Sequence, residues 1–239
     1  MIKEFTFNFN DLVVSRPAME AVLGFTDGCP EPFHSYLDEA LRFAENLPDI
    51  RAAYRIMDRI EMDSKGALMF AGGVEFHVGR IIKKEIRNSS RIAFFICTAG
   101  EMISARSKKL LAGDDPVLGY LYDVAGSFIA EAAGDRMQQM LARELEPAGE
   151  KMTNRYSPGY CQWPVSGQQA LFSLFEGKTC GVTLTPSSLM LPVKSISGLI
   201  GIGSGVNYRE YQCELCKMKN CTYRKVRGGV YLGNNLSNV

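Results

Sequence analysis

Residues 115–145, DPVLGYLYDVAGSFIAEAAGDRMQQMLAREL, form the longest helical pattern in the chain, and every other element has to be arranged around it. Pro116 suits a first helical turn, where its missing N–H is not needed, and Pro147 ends the pattern. Gly119, Ala125, Gly126, Ala130, Ala133 and Gly134 thin one face of it. A face without bulk predicts close approach of another backbone or of a ligand.

On either side of this helix the pattern changes period. KEFTFNF (3–9) alternates polar and apolar residues, as a half-buried strand does. Phe33, Tyr36, Leu37, Ala40, Leu41 and Ala44 recur at helical spacing over 33–46, and Pro48 stops that run. AAYRIMDRIEM and GALMFAGGVEFHV read as strands with a turn or bulge at Gly72-Gly73, and GRIIKKEIRNS (79–89) as a short amphipathic helix. SRIAFFICTAG reads as a buried strand and EMISARSKKLLA as a helix, with Glu101 near its start and Lys108 and Lys109 near its end. Ser166 and Gln169 match a capping box, GVTLT reads as a strand, and Pro186 and Pro192 keep 185–195 irregular or at a sheet edge. Without repeats or low-complexity linkers, the simplest division is one α+β domain over 1–205 and a cysteine-containing segment over 206–239.

Hydrophobic residues at 46% and charged residues at 22% exclude disordered and fibrous classes. A formal net charge of +1 lacks the field of a nucleic-acid-binding domain. The N-terminus has no apolar signal core, and IAFFIC (92–97) is far shorter than the ~20 residues that span a bilayer. These features predict a cytoplasmic protein with neither nucleic acid nor membrane as partner. In a reducing compartment, clustered cysteines among the chain's seven point to metal or redox chemistry rather than disulfides.

Cys213, Cys216 and Cys221 have the spacing Cys-x2-Cys-x4-Cys. Thiolates so close in sequence can share a zinc ion or an iron–sulfur cluster, and three of them suit either. The fourth ligand is missing from the segment, with Cys161 and Cys180 the nearer candidates and Cys29 and Cys97 the more remote. The plainer alternative is three reduced thiols on a tail rich in lysine and arginine. Arg155 precedes the turn YSPGY, so a guanidinium fork suited to a carboxylate or phosphate lies beside exposed backbone groups. The plainer reading there is a surface arginine next to a turn. GLIGIGSG (198–205) has glycines in the wrong order for a dinucleotide fingerprint and reads as a strand closely approached by another backbone. His34 and His77 read as packing residues, and no nucleophile elbow, phosphate loop or His-Glu-x-x-His is present.

Taken together, RYSPGYCQWP and LTPSSLMLPVKSISG resemble the activation domain of vitamin B12-dependent methionine synthase. That family's pattern is Arg-x-x-Pro-Gly-Tyr, a helix, Leu-Thr-x-Ser-x-x-Met-x-Pro and then Ser-x-Ser-Gly. It falls here on Arg155, Pro158, Gly159, Tyr160, Leu184, Thr185, Ser187, Met190, Pro192, Ser195, Ser197 and Gly198, and GDRMQQMLAREL looks like the family's Ala-Asp-Arg helix. The resemblance implies a bent, mainly antiparallel sheet with flanking helices. It also implies S-adenosylmethionine as ligand, held by Arg155 and the backbone at Ser157, with Pro158, Gly159 and Tyr160 shaping the pocket. The partner implied is the cobalamin-binding module of methionine synthase or another corrinoid protein, served together with an electron donor, and the chain is expected to act in trans. Where the family follows Ser-Gly with ligand-holding aromatic residues, this chain has Leu199, Ile200 and Gly201. The cysteine segment replaces the family's C-terminal helical region. Two other functions are compatible with that segment: an iron–sulfur electron-transfer protein reducing a corrinoid partner, and a zinc-stabilised adaptor.

Overall fold

The computed structural model describes residues 1–58, 60–63, 68–113 and 115–209. In chain order these form β1 (Ile2–Phe7), α1 (Arg16–Val22), α2 (Phe33–Ala44), β2 (Ile50–Met57), β3 (Ile60–Met62), β4 (Leu68–Ala71), β5 (Val74–His77), α3 (Gly79–Ile86) and β6 (Arg91–Thr98). Then come α4 (Glu101–Leu111), α5 (Pro116–Leu145), β7 (Lys151–Tyr156), α6 (Gly167–Ser173), β8 (Thr183–Leu184), β9 (Met190–Leu191) and β10 (Ser195–Gly203). Among the described residues, no helix is long and apolar enough to cross a membrane.

The main sheet has the order β1-β2-β6-β10-β7, and each neighbouring pair is antiparallel. Its central strand β6 is apolar on both faces because both are covered. Ala93, Phe95 and Cys97 face the core made with α1, α2 and α5, whereas Ile92, Phe94 and Ile96 face a second core. That second core is closed by the meander β3-β4-β5, by α3 and by α6. The molecule is therefore an α+β stack with the sheet in the middle.

The 30-residue α5 is about 45 Å long at 1.5 Å per residue and crosses the helix side of the sheet. Asp115 caps it by accepting from the Leu118 amide at 2.9 Å, and Pro116 occupies the first turn as its sequence predicts. The small-residue face is used as expected. A Cβ on Gly119 would lie 2.6 Å from the Leu111 backbone nitrogen, so α4 packs there backbone to backbone. Gly126 accommodates the Lys194 side chain, and Gly134 accommodates Ile196 and the Arg155 guanidinium.

Several local expectations change. The capping box at α6 does not form: Ser166 makes no side-chain cap, and Gln169 instead donates to Ser188 Oγ at 3.1 Å and the Thr185 carbonyl at 3.3 Å. The helix is shorter than two full turns, so tying down the following loop outweighs the cap. GVTLT contributes only the two residues of β8. Two elements had no clear sequence signal: α1, which Ser15 caps through the Ala18 amide, and β7, which carries Arg155 into the sheet edge.

Candidate functional site

Arg155 is a strand residue rather than a loop residue, paired with Ile200 of β10. Between Ile200 and Ile202 the ladder shifts register, and Thr153 Oγ1 accepts from the Gly201 amide at 2.9 Å. The bulge sharpens the local twist and re-aims the edge strand. The Arg155 side chain turns toward α5, where Nη2 lies 2.7 Å from Asp135 Oδ1 and 3.2 Å from Glu131 Oε2. Arg155 is 13% exposed, while the two carboxylates are 44% and 61% exposed, so the pair opens to solvent on the acidic side. A Cβ on Gly134 would come within 3.0 Å of Arg155 Nη1, so the glycine makes room for the guanidinium.

The turn follows at once. Tyr160 N donates to the Ser157 carbonyl at 3.2 Å around Pro158 and Gly159, the latter at φ +94°, a combination suited to a type II turn. Gly159 N donates to the Trp163 carbonyl at 2.7 Å, and Trp163 N to the Tyr160 carbonyl at 2.9 Å. The indole of Trp163 is 1% exposed, meets Phe76 edge-on at 6.5 Å and occupies the space a side chain on Gly167 would need. Burying a ring of that size contributes roughly 2–3 kcal/mol, which anchors the turn in the second core. Tyr156 is buried in the same core, and burial, then the nearby Glu85, pushes its phenol pKa up. The turn thus presents exposed Gly159 and Tyr160 from a fixed base, with Pro158 buried and Ser157 half-buried.

The approach to β10 forms the adjoining wall. Ser195 Oγ donates to the Pro192 carbonyl at 2.7 Å and lies 2.8 Å from Thr98 Oγ1. Lys194 Nζ binds Asp123 at 2.7 Å and Ser127 Oγ at 3.0 Å. Asp123, Ser127, Glu131 and Asp135 recur every four residues, so they form one polar stripe along α5. Lys194 holds one end of the stripe and Arg155 the other. In the segment leading to Lys194, Leu189, Leu191 and Val193 are 58%, 46% and 58% exposed.

Cys213, Cys216 and Cys221 lie outside the described residues. Among the described residues, no group of three histidines, cysteines, aspartates or glutamates is placed to hold a metal. Cys97 is buried among the α5-side residues, and burial raises its thiol pKa well above the ordinary value against the opposing charge of Arg155. Cys180 is buried toward the Ile96 carbonyl. His34 and His77 are exposed and lie beside carboxylates, His77 Nε2 2.8 Å from Glu75.

The family described as "Vitamin B12 dependent methionine synthase, activation domain" matches residues 79–228. The chain belongs to this family. A solved structure, "Crystal Structure of the MetH Reactivation Domain bound to AdoHcy", shares its fold, with a TM-score of 0.59 and 14% identity over 87% of this chain and 80% of that one. No curated protein matches the chain in sequence.

Set against the activation-domain pattern, the replaced aromatic positions fall in the interior. Leu199 is fully buried in the second core and Ile200 in the α5-side core, so neither side chain lines a surface groove. Gly198 is equally confined, because a Cβ there would meet the Tyr156 carbonyl and the Phe95 ring. Sequence reading missed both Glu131 and Asp135 as partners of Arg155, although they stand four residues apart in the Ala-Asp-Arg-like helix. That spacing, with Gly134 between them, was the available signal.

Proposed function

We propose that this chain reactivates a cobalamin-dependent methionine synthase by presenting S-adenosylmethionine to cob(II)alamin held in a partner's cobalamin module. Family membership supports the reading, and the observation that carries it is Arg155, fixed against α5 between two carboxylates beside the Ser157–Tyr160 turn. The methionine part of the ligand is a zwitterion. Its carboxylate suits the Arg155 fork, and its ammonium suits Glu131 and Asp135, so binding exchanges internal ion pairs for matched external ones. The backbone at Ser157, with Pro158, Gly159 and Tyr160, shapes the place for the nucleoside. The exposed Leu189, Leu191 and Val193 offer the neighbouring apolar rim to the partner.

The reaction then needs position more than acid–base chemistry. The partner's cobalamin, given one electron by a separate donor, would supply the nucleophile for the sulfonium methyl and leave S-adenosylhomocysteine, while Arg155, Glu131 and Asp135 would hold the methionine end of the ligand. This chain's contribution is to hold the sulfonium in line while the metal chemistry belongs to the partner.

Titration calorimetry should show S-adenosylmethionine binding that weakens about 10- to 100-fold in Arg155→Ala, as loss of a charged hydrogen-bonding group implies. The wild-type chain should also restore turnover of a synthase lacking its own activation domain. Neither binding nor restored turnover would sink the reading.

A second reading rests on the spacing of Cys213, Cys216 and Cys221 as ligands of an iron–sulfur cluster that passes an electron to a corrinoid partner without S-adenosylmethionine. Zinc in the same place would make the segment a structural adaptor. Iron content and visible absorbance of anaerobically prepared protein separate the two, and a colourless, metal-free preparation removes both.

A further inference from the structure

A groove of about 360 Å³ lies at the opposite edge of the main sheet from Arg155, between β1 and the loop Gly177–Gly181. Arg51 and Lys178 line it, together with Thr6, Thr179 and a single carboxylate, Glu4. Thr6 and Arg51 are cross-strand neighbours, so both side chains stand on the same face of the sheet. The Arg51 guanidinium reaches the loop, with Nη1 3.7 Å from where a Cβ on Gly181 would sit.

Two sets of donors in this groove go unused by the fold. Among the described residues, neither Arg51 nor Lys178 forms an ion pair, and both are exposed at the groove, so both charges are available to a ligand. Glu176, Gly177, Cys180 and Gly181 all have φ between +52° and +83°, an uncommon backbone for the two that are not glycine. In that conformation the loop closes only two bonds of its own, Lys178 N to the Phe175 carbonyl and Val182 N to the Thr179 carbonyl. Among the described residues, the amides of Gly177, Thr179, Cys180 and Gly181 meet no protein acceptor. Loops that reverse their peptide planes in this way leave N–H groups available to an anion.

We propose that this groove binds a phosphate group, free or carried on a small molecule, through Arg51, Lys178, the Thr179 hydroxyl and the amides of the Gly177–Gly181 loop. The volume admits a phosphate with a small attached group. Glu4 opposes the bound charge and keeps the affinity low. The site is independent of Arg155 and of the methyl-transfer reading.

The test is a calorimetric titration of the full chain with inorganic phosphate, then with a nucleoside monophosphate and with sulfate. Saturable phosphate binding is expected, weakened about 5- to 10-fold by Arg51→Gln or Lys178→Gln and strengthened about 3-fold or more by Glu4→Gln. Because misfolding cannot tighten binding, the opposite sign at Glu4 separates charge recognition from damage. A monophosphate that binds more tightly than phosphate identifies an ester as the ligand, and equal affinity identifies the free ion. No saturation with any probe, or affinities indifferent to all three substitutions, overturns the proposal. S-adenosylmethionine binding, measured in the same variants, should not change.

Discussion

At the scale of the residue, Gly134 and Arg155 act as one unit. A methyl group on Gly134 would stand 2.7 Å from Ile196 Cδ1 and 3.0 Å from Arg155 Nη1, closer than side chains pack. Helix propensity alone would favour alanine by up to about 1 kcal/mol, so Gly134→Ala sets a local gain against a displaced guanidinium. We expect Gly134→Ala to weaken S-adenosylmethionine binding about tenfold or more while changing the melting temperature by only a few degrees. Calorimetry and thermal unfolding of the same sample check both halves, and unchanged affinity would show that Arg155 does not need the cleared space. The arginine and its turn were legible in the sequence because RYSPGY is local. Its position on a strand, facing Glu131 and Asp135, was not, because β7 meets α5 only after the chain has turned back through the residues between them.

At the scale of the element, long-range groups decide how helices start. Asp49, at the entrance to β2, accepts from the Glu101 amide at 2.7 Å and so caps α4 from outside its own sequence. Gly100, at φ +90°, leaves the space that the Asp49 carboxylate occupies. No local signature announces such a cap. Asp115 caps α5 from the expected place but is also bound by Tyr36 of α2, whose hydroxyl donates at 2.6 Å. The Tyr36 hydroxyl, then the Leu118 amide, holds the Asp115 carboxyl below its ordinary value of 3.8. A depressed carboxylate stabilises the fold fully above its unfolded pKa, and that contribution disappears as pH falls through the folded value. Tyr36→Phe should therefore lower the melting temperature at neutral pH and make acid unfolding less steep as pH falls below the ordinary Asp115 value of 3.8. Parallel thermal scans across that range measure it, and identical pH profiles for the two proteins would remove the Tyr36–Asp115 bond from the account.

At the scale of the whole molecule, the covered central sheet places both residues after Gly198 in the interior. Leu199 and Ile200 sit on β10 between β6 and β7, and each is 0% exposed in a different core. Restoring an aromatic residue at the first of them, Leu199→Tyr, should destabilise the protein by about 1–3 kcal/mol through overpacking and should not improve S-adenosylmethionine affinity. Chemical denaturation and calorimetry report the two effects, and tighter binding with unchanged stability would mean that the strand can reach the ligand after all. Local sequence specified the helices with strong 3.6-residue periodicity, the doubly apolar strand at 91–98, the small-residue face of α5 and the Pro158-Gly159 turn. Each is written in neighbouring residues, where local sterics and periodicity act. Only the tertiary structure decided that Arg155 lies against Glu131 and Asp135, that Leu199 and Ile200 point into opposite cores, and that Arg51 and Lys178 share a groove. Those outcomes depend on which strands become neighbours, a choice made by burying both faces of one sheet at once.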